Sequence, residues 1–122
     1  MESTVSPRAR ILFLLGSLAA GGSEKQVLAI LQRLDRGAFQ PLLYTVYRTG
    51  ELLDEVPVDV PVFSYWDRHA FPRFNFPGQI ALHQRRDLAS LVSREKVDLI
   101  CDRNYQMTLL SAEANLTLRL PR

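Results

Sequence analysis

Adjacent glycines, Gly21-Gly22, followed by Ser23 and an amphipathic stretch, are the residues of this sequence best placed to do chemistry. They come after the apolar run Ile11 to Leu15 and a third glycine, Gly16. Glycine lets a backbone approach a ligand closely. A helix start offers unpaired N–H groups, and its dipole attracts anions. The chemistry on offer is phosphate binding by Gly21, Gly22 and Ser23. Two strict versions of it fail. The dinucleotide fingerprint G-x-G-x-x-G does not fit, because Gly16 is followed by Ser17 and Leu18. The loop G-x-x-x-x-G-K-[ST] is met at Gly16, Gly21 and Ser23. Gly22, however, stands where a lysine must grip the β and γ phosphates, which argues against ATP or GTP hydrolysis. Taken alone, the loop fits equally an anion-approaching turn and a plain tight turn from strand to helix.

Other reactive side chains have bland readings beside the functional ones. Glu24 can touch a sugar or cation, or can simply complement the helix dipole. Cys101 reads as a small buried hydrophobe, not a nucleophile. It is the one cysteine, so an internal disulfide and a Cys-rich zinc site are excluded. His69 and His83 have no triad companions at a recognisable spacing, and no metal site is expected. Arg85-Arg86 reads as a solvated helix face. The stretch WDRHAFPRFNFPG, residues 66–78, interleaves Trp66, Phe71, Phe74 and Phe76 with Arg68, His69 and Arg73. Such a mixture can stack sugars or bases, or rest on a lipid surface, or its aromatics can fold back onto the sheet edge.

The elements that must position these residues follow from periodicity. Ile11 to Leu15 is apolar at every position, which marks a strand buried on both faces. From Glu24 to Arg36, Val27, Leu28, Ile30, Leu31 and Leu34 share one helical face. Ser23 is the expected N-cap, with Gln26 completing a capping box and Gly37 as the stop. Pro41 to Tyr47 reads as a second strand, Leu52 to Glu55 as a helical turn, and Val58 to Tyr65 as a third strand. Gln79 to Glu95 is helical, Val97 to Cys101 is a fourth strand, and Met107 to Leu120 is helical again. Alternating strands and helices predict an α/β fold: a Rossmann-like, doubly wound parallel sheet of about four strands in order 3-2-1-4.

Composition sets the frame for that fold. The chain has 122 residues, enough for one core, so residues 1–122 are read as a single domain with a flexible lead-in at 1–9. A hydrophobic share of 47% with 23% charged residues excludes a disordered chain. The net charge of +2 is too small to argue for a nucleic-acid partner. Residues 1–10 are polar and the first apolar run is short, so neither a signal peptide nor a membrane span is expected, and a cytoplasmic location follows.

Apolar strand, Gly21-Gly22-Ser23-Glu24-Lys25 and amphipathic helix, in that order, resemble the opening of the family 4 glycosyltransferases, retaining enzymes of the GT-B type. Arg48-Thr49-Gly50-Glu51-Leu52 is similar to that family's turn after the second strand. Lys96-Val97-Asp98-Leu99-Ile100 is similar to its K-P-D-[VLI]-[VI] fourth strand. The likeness runs over about residues 9–121. Where many members carry H-x-H after the fourth strand, this chain has Cys101-Asp102-Arg103. That departure reads either as altered acceptor recognition with Arg103 as an anion contact, or as a solvated Asp-Arg pair.

The resemblance implies two Rossmann-like domains facing a cleft, this chain being part of the N-terminal, acceptor-side one. It implies a nucleotide-sugar donor, held mostly by a C-terminal domain, and a saccharide or lipid-linked acceptor, with peripheral membrane contact. No cofactor and no nucleic acid are implied. Gly21, Gly22 and Ser23 would approach the donor phosphates, and no catalytic residue can be assigned. Sheet topology places ligands beyond the carboxyl ends of the strands where their order reverses. Asp102, Arg103, Asn104 and Tyr105 should therefore line an acceptor-side pocket with the glycine loop. By itself the chain should lack transferase activity and should tend to self-associate through the open edge of the fourth strand. The alternative is a non-catalytic Rossmann-like binding or protein-interaction domain.

Overall fold

The computed structural model describes residues 8–19, 21–69 and 77–102. In chain order these form β1 (Ala9–Leu15), α1 (Gly22–Arg33), β2 (Phe39–Thr45), a 3-10 turn (Leu53–Glu55), β3 (Val62–Ser64), the single-turn α2 (Tyr65–Arg68), α3 (Gln79–Arg94) and β4 (Leu99–Asp102). All strand pairings are parallel, and the sheet order is β3-β2-β1-β4, as periodicity predicts. The expected helix at 107–120 lies outside the described residues.

β1 is central, and its side chains alternate between two cores because successive residues of a strand face opposite ways. Leu12 and Leu14 join Leu42 and Tyr44 under the α3 residues Leu88, Leu91 and Val92. Ile11, Phe13 and Leu15 join Leu43 under the α1 residues Val27, Leu28 and Leu31. That two-sided cover is why the β1 sequence does not alternate. Each fully buried leucine contributes roughly 1.5–3 kcal/mol, and these strands are almost wholly inaccessible. Thr45 and Ser64 are register partners at the carboxyl ends of β2 and β3, and their buried hydroxyls satisfy each other at 2.6 Å.

The amino end of the sheet is tied by arginines. The Arg10 guanidinium donates to the Glu95 carbonyl at 2.5 Å, while its backbone N–H donates to Asp98 Oδ2 at 2.8 Å. Arg36 donates to the Leu31 and Leu34 carbonyls at the end of α1 and to both oxygens of Asp59.

Three local expectations need correction. α1 begins at Gly22, with Gly21 as its N-cap and no side-chain cap bond, so the Ser23–Gln26 capping box does not form. Glycine also serves at an N-cap, and Gly21 turns the chain two residues before the serine. α1 stops at Arg33 with Leu34 as C-cap, before Gly37. There Asp35 Oδ1 accepts the Gly37 N–H at 2.9 Å, and this side-chain turn replaces a glycine stop. β3 is only three residues long. Val58, assigned to it from sequence, is fully exposed in the turn before it.

Candidate functional site

β1, β2, β3 and β4 are parallel, so their carboxyl ends share one end of the sheet, and Asp102 pairs in register with Leu14. The glycine loop leaves β1 two residues later. Its shape is set by a buried anchor and by the turn that follows β2. The Leu18 side chain is fully buried. The Leu18 N–H donates to the Thr49 carbonyl at 2.8 Å, and the Leu18 carbonyl accepts from the Leu52 N–H at 2.9 Å. The Gly16 carbonyl accepts from the N–H groups of Val46 and Tyr47 at 3.1 and 2.9 Å. The 48–52 segment is thus a clamp on the glycine loop.

The glycines of this end serve different purposes. Gly50 has φ +127°, and a Cβ there would land on the Leu18 carbonyl group, so the clamp requires glycine. Gly16 and Gly22 are not in the left-handed region, and a Cβ on either would meet no described residue within 4 Å. Neither packing nor backbone conformation demands glycine at those two positions. A Cβ on Gly21 would meet only the carboxyl end of the Glu24 side chain.

At the start of α1 the Gly21 N–H donates to the Ala19 carbonyl at 2.8 Å, and the Lys25 N–H closes the first helical bond onto Gly21 at 3.0 Å. The N–H groups of Gly22, Ser23 and Glu24 therefore have no acceptor within the helix and point out of its positive end. The Glu24 carboxyl folds back over Gly21, where it complements the dipole. An incoming anion would have to displace it.

Asp102 is half-buried at the end of β4, while Arg103, Asn104 and Tyr105 lie outside the described residues. Gly21, Gly22, Ser23 and Asp102 thus stand at one end of the sheet. Two grooves, of about 320 and 220 Å³, run along the flank of α1, and neither includes the glycine loop. Cys101 is half-buried against the α1-side core and forms no disulfide. No helix among the described residues is long and apolar enough to cross a membrane.

A second cluster at the same end was not legible from spacing. His69 Nε2 lies 2.9 Å from Asp87 Oδ1, and the Tyr44 hydroxyl donates to Asp87 Oδ2 at 3.2 Å. The Asp87 side chain is only 7% exposed, against 40% for His69. His69 stacks on Tyr65 with ring centres 4.6 Å apart. Tyr65 meets Trp66 edge-on at 4.8 Å, and Trp66 stacks with the exposed Tyr47 at 6.5 Å. Burial raises the Tyr65 phenol above its ordinary pKa, and the neighbouring Asp87 charge adds to the effect. The sequence signal for this cluster is an acid in apolar register: Asp87 is seven residues from Ile80 and four from Leu91 on α3.

No protein-family model matches the sequence, and no curated protein matches it. Solved structures do. A mutant O-GlcNAc transferase from Thermobaculum terrenum superposes with a TM-score of 0.63 at 18% identity, over 88% of this chain and 19% of that one. A glycosyltransferase from Rickettsia africae gives 0.68 at 14% identity, over 95% of this chain and 29% of that one. Anabaena HepE, solved in complex with UDP and glucose, gives 0.64 at 23% identity, over 93% of this chain and 28% of that one. The chain thus has the fold of one part of these glycosyltransferase structures and spans less than a third of their length.

Proposed function

We propose that the chain is the N-terminal, acceptor-side part of a GT-B glycosyltransferase of the family 4 type, which moves a sugar from a nucleotide-sugar donor to an acceptor. One observation carries this reading. Gly16 and Gly22 flank the path from β1 to α1 at the carboxyl end of the sheet, and nothing among the described residues requires glycine at either. Glycine inside an element costs roughly 0.5–1 kcal/mol against alanine. A position that keeps it without a structural reason fits close approach by a ligand.

The ligand end of α1 fits a diphosphate. Gly22 and Ser23 would present backbone N–H groups to it, Gly21, whose own N–H is held by the Ala19 carbonyl, would line the approach, and Glu24 would swing away as the anion arrives. Asp102, with Arg103, Asn104 and Tyr105, would contribute the acceptor side, and the acceptor would be a saccharide or a lipid-linked saccharide. The nucleotide-sugar assignment is supported by the HepE structure, which holds UDP and glucose. Transfer needs donor and acceptor held in near-attack geometry. One helix end supplies only about 1–2 kcal/mol toward an anion. The 122-residue chain alone is therefore assigned no turnover and weak donor affinity.

A second reading, a non-catalytic binding domain, is favoured by Glu24, whose carboxyl already covers the helix start. The gene separates the two. An open reading frame that continues into a second α/β domain with paired glutamates, and a product that turns over a nucleotide-sugar, supports the transferase. A frame that closes at Arg122, with no nucleotide-sugar binding by calorimetry, supports the binding domain.

A further inference from the structure

We propose that His69, held by Asp87, forms a saccharide-binding surface with the Tyr47–Trp66 ring pair, separate from the glycine loop. The chemistry starts at Asp87. Its carboxylate can only accept hydrogen bonds, so the His69 nitrogen facing it, Nε2, carries the proton. In the neutral ring Nδ1 then keeps its lone pair, fixed as an acceptor on a residue that is 40% exposed. Such an acceptor selects a donor such as a hydroxyl group. The bond to Asp87 and the stack on Tyr65, which is itself buried, both favour this ring orientation.

Trp66, edge-on to Tyr65, stacks with Tyr47, a residue 53% exposed. An exposed aromatic face backed by a second ring takes a flat apolar partner at low entropic cost. A ligand with hydroxyl groups on its rim and C–H groups on its face matches both kinds of contact, and a saccharide of one or more pyranose rings has that form. β2 and β3 deliver these residues to the carboxyl end of the sheet, where ligands of open α/β sheets bind. Only the naming of this saccharide as the acceptor rests on the transferase reading.

Nuclear magnetic resonance titration of the full 122-residue chain tests the surface. The probes are methyl β-glucopyranoside, maltose and cellobiose, with sorbitol as an open-chain control and UMP as a base-stacking control. At least one ring saccharide should shift the Tyr47, Trp66 and His69 resonances, with a dissociation constant of roughly 1–10 mM, while sorbitol does not. Tyr47→Ala, at an exposed position, should weaken binding about 5–10-fold. His69→Phe keeps the stack on Tyr65 but removes the acceptor, and should weaken it about 3–10-fold. Amide spectra of both variants report whether the fold is kept. Absence of shifts up to about 50 mM saccharide, shifts indifferent to both substitutions, or a response to UMP alone would overturn the proposal. UDP-glucose, titrated separately and read at Gly21 to Ser23, tests the donor contact, so either assignment can fail while the other stands.

Discussion

The two ends of the sheet are built by opposite means. At the amino end, charged side chains hold backbone: Arg10 ties β1 to the end of α3, and Arg36 ties the end of α1 to Asp59. At the carboxyl end, the 48–52 clamp grips the glycine loop through main-chain bonds, and polar side chains pair with one another, Thr45 with Ser64 and His69 with Asp87. Glycine is used differently as well. The amino end places Lys96 at φ 54°, a conformation that suits glycine, whereas the carboxyl end has glycine both where the backbone demands it, at Gly50, and where it does not, at Gly16 and Gly22. The amino end is stapled by side chains, while at the carboxyl end the glycine loop is fixed from behind by main chain.

The sharpest way to break this contrast is at the clamp. Gly50→Ala must leave its left-handed conformation or push the Leu18 carbonyl aside. The expected loss is about 2–4 kcal/mol, combining backbone strain with overpacking. Urea unfolding measures it. A loss below about 0.5 kcal/mol would mean that the clamp does not fix the loop.

The opposite sign is expected at the amino end. α3 has Glu95 as its C-cap, and the Val97 N–H reaches back to the Val92 carbonyl at 3.1 Å, so Lys96 occupies the left-handed position that closes a helix. Lys96→Gly should stabilise the chain by roughly 1 kcal/mol, raising the urea midpoint without changing its slope. Gly22→Ala should gain less, about 0.3–0.5 kcal/mol, through the unfolded state alone. The two then part ways. On the proposed transferase reading, Lys96→Gly should leave UDP-glucose binding unchanged, while Gly22→Ala should weaken it by putting a methyl group at the approach to α1. If Gly22→Ala bound the donor as well as wild type, the glycine would have no functional role.

How far these features were legible from sequence differs with their range. The sheet order followed from apolar runs alternating with helices, and the two-sided burial of β1 from its unbroken run of five apolar residues, Ile11 to Leu15. The start of α1 was misplaced by two residues because both Gly21 and Ser23 are acceptable caps, and only the loop path decides between them. His69 and Asp87 are 18 residues apart, and nothing local announces that α3 will bring them together. The role of Gly50 was likewise hidden, since its partner is the Leu18 backbone and not a side chain.

The smallest expected effect lies at the exposed staple of the amino end. The Arg36 guanidinium, hydrogen-bonded to Asp59 at 2.6 Å, holds that carboxyl below its ordinary value of 3.8; desolvation opposes this and the Arg36 charge reinforces it. A carboxyl whose folded pKa lies below its unfolded one binds fewer protons folded than unfolded around pH 3 to 4. Its contribution is therefore complete above the unfolded value and fades as the pH falls through the folded one. Asp59→Asn should accordingly cost a small, constant amount of stability above about pH 5, and that cost should shrink below about pH 4. Added salt should weaken it at every pH, because the pair is half in solvent. Urea midpoints of both proteins across this range, at low and high salt, give the comparison. A gap between them that stays flat down to about pH 2.5 would show that the Arg36–Asp59 pair contributes nothing, and that carbonyl capping by Arg36 alone secures the end of α1.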